Sequence, residues 1–97
     1  MAWVNFLRCR DGSLYIGSTR SLQLRLHQHQ IGQGAAYTRH RLPVELVFSQ
    51  ECEHIGEAFA LEKRYQGWSR AKREALIAGD FDLLRGLSKK DFSKRRR

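Results

Sequence analysis

Apolar and polar residues alternate from the first positions of the chain. In Trp3-Val4-Asn5-Phe6-Leu7-Arg8-Cys9, Val4 and Phe6 fall on one face and Trp3, Asn5, Leu7 and Cys9 on the other, the period of a β-strand. Arg10-Asp11-Gly12-Ser13 interrupts this pattern with a turn signal, and Leu14-Tyr15-Ile16-Gly17 resumes it, so residues 3–17 predict a hairpin. The period then lengthens. Ser18, Thr19 or Ser21 can cap a helix that runs to about Ile31 and ends before Gly32 and Gly34. Residues 32–43 predict a loop, and Pro43 leads into a third strand at 44–49. A second helix fits 55–66 with Gly67 as its stop; Ser69 caps a third over 70–78, ending at Gly79; Asp80 opens a short further segment. Two strands joined by so short a turn are antiparallel. The expected class is therefore α/β of the α+β kind, a small three-stranded antiparallel sheet flanked by helices.

Polar residues stand where this pattern calls for apolar ones. On the first helix Leu22, Leu26 and His29 recur at i, i+4 and i+7, and Arg25 at i+3 borders or enters the stripe that faces the sheet. On the second, Ala58, Leu61 and Tyr65 form the face, with Glu62 at i+4 inside it. A carboxylate there must be paired with an arginine, sit at the stripe's edge, be protonated or hold a metal, because an isolated buried charge is very costly. Tyr15 is a third polar group, on a strand beside Gly17, where a tyrosine is ordinarily a packing residue. His27 and His29 are two apart and point to different helix faces, which argues against a multi-histidine metal site with His40.

The 97 residues support one core, and the expected organisation is a domain over 1–88 followed by a basic tail at 89–97. The net charge of +8 is unevenly spread. The tail holds six basic residues against one acidic, and the first 41 residues set Arg8, Arg10, Arg20, Arg25, Arg39 and Arg41 against Asp11 alone. A basic front and a basic tail point to a nucleic-acid partner; the plainer alternative is a solubilising surface. Apolar runs are far too short to cross a bilayer, and the N-terminus reads as a first strand, not a leader peptide. Two cysteines with no CxxC spacing fit a reducing, cytoplasmic setting better than a zinc site. No Ser/His/Asp grouping, Walker loop or GxGxxG occurs.

Over roughly residues 2–80, the run DGSLYIGST, the helix SLQLRLHQH, the loop GQGAAYTRHRLPVELV and the segment EAFALEKRYQGWSRAKREALIAGD, in this order and spacing, resemble the GIY-YIG nuclease superfamily, most of all its small single-domain bacterial members. Tyr15-Ile16-Gly17 looks like the YIG half of the signature. The resemblance sets Arg25 on the family's essential helix arginine, His29 on the histidine one turn later and Glu62 on the metal-binding glutamate; Tyr37, Thr38 and Arg39 match a loop segment frequent in the small members. The GIY half departs from the family, because the register set by Trp3 and Arg8 puts Asn5 where its tyrosine belongs. Asparagine cannot act as a base near neutral pH, though it still donates and accepts hydrogen bonds.

The resemblance implies a metal-dependent endonuclease hydrolysing DNA phosphodiester bonds, structure- or single-strand-directed, in DNA repair, recombination or uptake. Glu62 would hold a single Mg²⁺ or Mn²⁺, Arg25 would grip a non-bridging phosphate oxygen, Tyr15 would activate water, and His29 would assist the proton transfer or orient a phosphate. Tyr37, Arg39 and Arg41 would contact the nucleic acid, single-stranded, branched or duplex. A monomer is expected. The alternative is a nucleic-acid-binding module on the same scaffold, its activity impaired through Asn5.

Overall fold

A computed structural model describes residues 1–87, and the basic tail expected at 89–97 lies outside the described residues. The chain divides into two units, Met1–Gln66 and the part from Gly67 onward. The first contains a three-stranded antiparallel sheet, in the order β2-β1-β3, built from β1 (Ala2–Arg8), β2 (Leu14–Thr19) and β3 (Glu45–Cys52). With it lie the helices α1 (Leu22–Gln30), α2 (Ala36–Arg39) and α3 (Ile55–Gln66). The second contains α4 (Arg70–Ala78), after which residues 81–87 are again helical.

The hairpin forms as its pattern predicts. Asp11 accepts both the backbone N–H and the hydroxyl of Ser13, at 3.0 and 2.6 Å, and Gly12 takes φ +85°, a conformation that costs glycine little. These bonds from Ser13, with a smaller contribution from Arg41, hold the Asp11 carboxyl below its ordinary pKa. The resulting register sets Asn5 opposite Gly17 and Leu7 opposite Tyr15.

Strand alternation gives the sheet two covered faces. On one, Ala2, Cys52 and Ala58 are buried together with Ile55 and Leu61 against them, which seats α3. Beside that cluster the Phe6 ring meets Phe48 at 5.0 Å and the edge of Tyr65 at 5.5 Å. On the other face Leu7, Cys9 and Val44 form a second cluster, against which Tyr15, Leu26, Leu42 and Leu46 pack; Leu26 brings in α1. Cys9 and Cys52 thus lie in separate clusters as buried free thiols. In the second unit Ser69 caps α4, accepting the Lys72 N–H at 3.2 Å, and Gly79 closes it in the left-handed conformation (φ +71°).

Three readings of the sequence need correction. The stretch 32–43 is not all loop, because Ala36–Arg39 make one helical turn, too short to leave a periodic trace. The third strand runs to Cys52, past Ser49, because β1 pairs with it along its whole length. Ser21 stands at the N-cap of α1 but its side chain makes no capping bond; the neighbouring Thr19 hydroxyl instead donates to the Ser21 carbonyl and accepts its N–H.

The segment between α1 and α2 passes directly over the His29 ring. A Cβ at Gly34 would stand 2.4 Å from His29 Nδ1, closer than real contacts allow. Gly34→Ala is expected to lower unfolding stability by about 1–3 kcal/mol, the usual cost of overpacking a closed site. Gly86→Ala, where nothing lies within 4 Å, should be neutral or slightly stabilising. Urea denaturation of both variants checks the pair; equal effects would mean that the loop does not press on the ring.

Candidate active site

The edge strand β2 carries the site. Its odd-numbered residues share a face with Asn5 and Leu7, and its even-numbered residues face the other way with Val4 and Phe6. Tyr15 therefore projects toward α1. Its ring leans back over Gly17, where a Cβ would lie 3.0 Å from the ring and 3.6 Å from the hydroxyl. That lean needs a glycine at 17, which gives the Tyr-Ile-Gly order a packing reason.

Two of the other residues singled out in the sequence gather around Tyr15, and a third, Arg25, acts electrostatically on one of them. The His29 ring centroid lies 5.2 Å away and the Tyr37 ring 6.1 Å away, the latter stacked. Arg25, one helical turn before His29, is half-buried, with its guanidinium 3.5 Å from the Gln28 side-chain oxygen. His29 itself is 1% exposed. Its Nδ1 lies 2.7 Å from the hydroxyl of Thr38, a residue with no exposed surface, while Nε2 is buried without a hydrogen-bond partner among the described residues. Burial first, and the positive charge of Arg25 second, lower the pKa of His29, which favours the neutral imidazole at neutral pH.

Asn5, at the departed signature position, is 2% exposed on the same sheet face, and its Nδ2 is likewise buried without a partner among the described residues. Two orphaned polar atoms on one face of one small sheet are unusual, since buried polar groups are ordinarily paired.

Glu62 reaches β2 from the other side. Its Oε1 accepts the Ser18 hydroxyl at 2.6 Å and its Oε2 the Gln66 amide at 3.2 Å. Among the described residues the half-buried carboxylate is held by these two hydrogen bonds and by no arginine pair. The structure brings Tyr15, Arg25, His29 and Tyr37 together, and ties Glu62 to the same strand three residues along, on the opposite face. Among the described residues no group of three His, Cys, Asp or Glu could hold an ion. A single carboxylate with lone pairs to spare fits a hard cation that keeps most of its waters, and does not fit a closed protein cage.

The expected nucleic-acid contacts divide. Arg39 is exposed at the end of α2, and Tyr37 is 40% exposed. Arg41 is used within the fold, bonding Asp11 through Nε at 3.1 Å and the Tyr37 carbonyl at 2.7 Å, with its guanidinium 4.0 Å above the Tyr37 ring centroid. A base stacking on Tyr37 there would have to displace it. Ser18 and Thr38 were not named from the sequence as site residues, although both lie inside the runs that carry the resemblance. Each matters only through a partner distant along the chain.

A histidine held neutral in the fold leaves the unfolded chain to bind the extra proton, so stability falls as pH drops from about 6.5 toward the lowered native pKa, and is unaffected by this group above that window. The urea midpoint is expected to decline between pH 7 and pH 5 with a slope that His29→Gln reduces; an unchanged slope would assign the dependence to other groups.

Comparison with known proteins agrees with this fold. The family model described as the GIY-YIG catalytic domain matches residues 1–75. A UPF0213 protein of Bacillus pumilus is 46% identical over 71 residues, covering 73% of this chain and 72% of that protein. One from Natronomonas pharaonis is 40% identical over 78 residues, 80% of this chain and 92% of its own length. The solution NMR structure of a UPF0213 protein from Bacillus halodurans superimposes with a TM-score of 0.53 at 38% identity, covering 80% of this chain and 84% of that one. With the domain matched over most of its length and relatives this similar, the chain belongs to the GIY-YIG family, among its UPF0213 proteins.

Proposed function

We propose that this protein is a divalent-cation-dependent endonuclease that hydrolyses DNA phosphodiester bonds, with Tyr15, Arg25, His29 and Glu62 as its catalytic groups. Family membership supports the nuclease reading and a nucleic-acid substrate. The observation that carries it for these residues is the gathering of a phenol, a guanidinium and a neutral imidazole on one side of β2, with a carboxylate tied to its other side.

Hydrolysis requires an oriented water, neutralisation of charge building on the phosphate, and a stabilised leaving oxygen. Arg25, permanently protonated, binds a non-bridging oxygen through its planar fork. The Tyr15 hydroxyl, held over Gly17, orients the attacking water. His29, neutral and unpaired at Nε2, accepts its proton. Glu62 would hold a Mg²⁺ or Mn²⁺, which when bound supplies positive charge to the phosphate and the leaving oxygen. Ser18 and Gln66 keep that carboxylate in place.

Substrate selection is expected to rest on DNA form, single-stranded or branched, in repair, recombination or uptake. The basic surface at Arg39 and the basic tail supply phosphate contacts without reading bases. A cytoplasmic setting agrees with two cysteines kept as free thiols.

A nicking assay with Mg²⁺ or Mn²⁺ on single-stranded, duplex and branched DNA tests the reading. Glu62→Ala and Arg25→Ala should each reduce cleavage by roughly 10²-fold or more, the usual loss for one group that stabilises transition-state charge, with DNA binding retained. Metal-independent binding and no cleavage by any form would overturn it.

Asn5 favours a second reading, a DNA-binding module whose hydrolysis is impaired, because its buried amide lacks a partner where the family carries a phenol. The two separate in Asn5→Tyr. If Tyr15 suffices, the wild-type chain cleaves and the substitution changes its rate by less than ~10-fold; a gain of ~10²-fold or more, the size of a general-base contribution, would assign the impaired site.

A further inference from the structure

The buried contact between Thr38 and His29 contains enough information to assign a tautomer. Thr38 Oγ1 lies 2.7 Å from His29 Nδ1 and 3.0 Å from the Ala35 carbonyl oxygen. A hydroxyl has one proton to give, and a carbonyl oxygen can only accept. The bond to Ala35 is the back-bond from i to i−3 that threonine commonly makes in a helical turn. With the Thr38 proton directed to Ala35, the hydroxyl oxygen is left to accept, so Nδ1 must carry the ring proton and donate it. The opposite assignment would leave two acceptor oxygens 3.0 Å apart with no proton between them. It would also put the ring proton on Nε2, a buried donor with no partner. Buried N–H groups without partners are rare, and under-used acceptors are less so.

We propose that Thr38 is a positioning residue that holds His29 as its Nδ1–H tautomer and so keeps Nε2, buried in this structure, as an unprotonated lone pair. Free histidine favours the proton on Nε2, so the assigned state is one the fold imposes. The close passage of Gly34 over the ring, where a Cβ would stand 2.4 Å from Nδ1 and 2.7 Å from Cγ, keeps the imidazole packed in place. Charged and titratable groups facing the ring are Arg25 from α1 and Tyr15 from β2; Thr38 from α2 is uncharged.

The inference rests on the hydrolytic reading for its consequence. In that step the water O–H bond breaks as its oxygen bonds phosphorus, the proton passes to Nε2, and the P–O bond to the leaving oxygen breaks with its electron pair on that oxygen, which takes a proton from solvent. His29 becomes an imidazolium whose Nδ1–H still donates to Thr38, so nothing has to reorient as the charge appears. With the other tautomer, Nε2 already carries a proton and the ring cannot accept one there.

Long-range ¹H–¹⁵N correlation spectra of the full chain, labelled at histidine nitrogen and recorded above pH 7, read the tautomer directly. His29 is expected to show a protonated Nδ1 and an unprotonated Nε2. Thr38→Ser should keep that signature and Thr38→Val should lose it, with amide spectra reporting whether each variant remains folded. In the nicking assay Thr38→Val should lower kcat by ~10-fold or more with little change in KM, and Thr38→Ser should restore most of the rate. A protonated Nε2 in the wild-type chain, or a Thr38→Val chain that folds and keeps the Nδ1–H signature, would overturn the proposal. A wild-type chain that shows the expected tautomer but does not cleave would overturn the hydrolytic reading and support the assignment itself.

Discussion

Burying an imidazole ring inside a domain this small is the constraint around which the front half of the chain is arranged. His29 occupies a position that helical spacing reserves for a core residue, and a polar ring there is tolerable only with a partner. The partner is Thr38, and bringing it within 2.7 Å forces the chain to double back after α1, turn tightly, and form α2. The rest follows from that return. Tyr37, next to Thr38, is set beside Tyr15, and Arg41 closes the corner by bonding Asp11 at the tip of the hairpin. Gln30 adds a clamp at the end of α1, donating to the Val44 carbonyl at 2.6 Å just before β3 begins. A polar core residue thereby organises a surface of aromatic and basic groups that hydrophobic burial alone would not bring together.

Much of this architecture was legible from residue order. The hairpin, the three longer helices and the third strand are each announced by a period and a stop, and antiparallel pairing follows from a turn too short for anything else. Arg25, His29 and Glu62 could be found as polar intrusions on apolar faces before any likeness to known proteins was considered. What escaped was non-periodic. The four residues of α2 complete barely one turn, and Thr38 within them looks like any threonine in a basic loop until the fold brings it to His29. Ser18 has the same character, since its bond to Glu62 spans 44 positions. The departure at Asn5 was visible in the sequence; that its amide is buried and unpaired was not, because satisfaction depends on what surrounds it in space.

Charge needed the structure most. Six arginines against one aspartate in the first 41 residues suggest a continuous basic surface, yet they have different duties. Arg41 is consumed by an ion pair, a carbonyl and a ring. Arg25 lies half-buried beside the imidazole it helps keep neutral. Arg39 remains exposed at the end of its short helix. A partner would therefore sense a local charge pattern much sparser than the net charge suggests, and its affinity would respond to ionic strength accordingly.

The alternation of Tyr15 and Ser18 to opposite sides of a single strand has a geometric corollary. The spacing between the phenol and the carboxylate that Ser18 holds is gauged by the thickness of one ribbon of backbone, a dimension that no loop length can alter. Turns on either side can lengthen, shorten or change composition while that gauge stays constant. Only the twist of the strand itself would tune it.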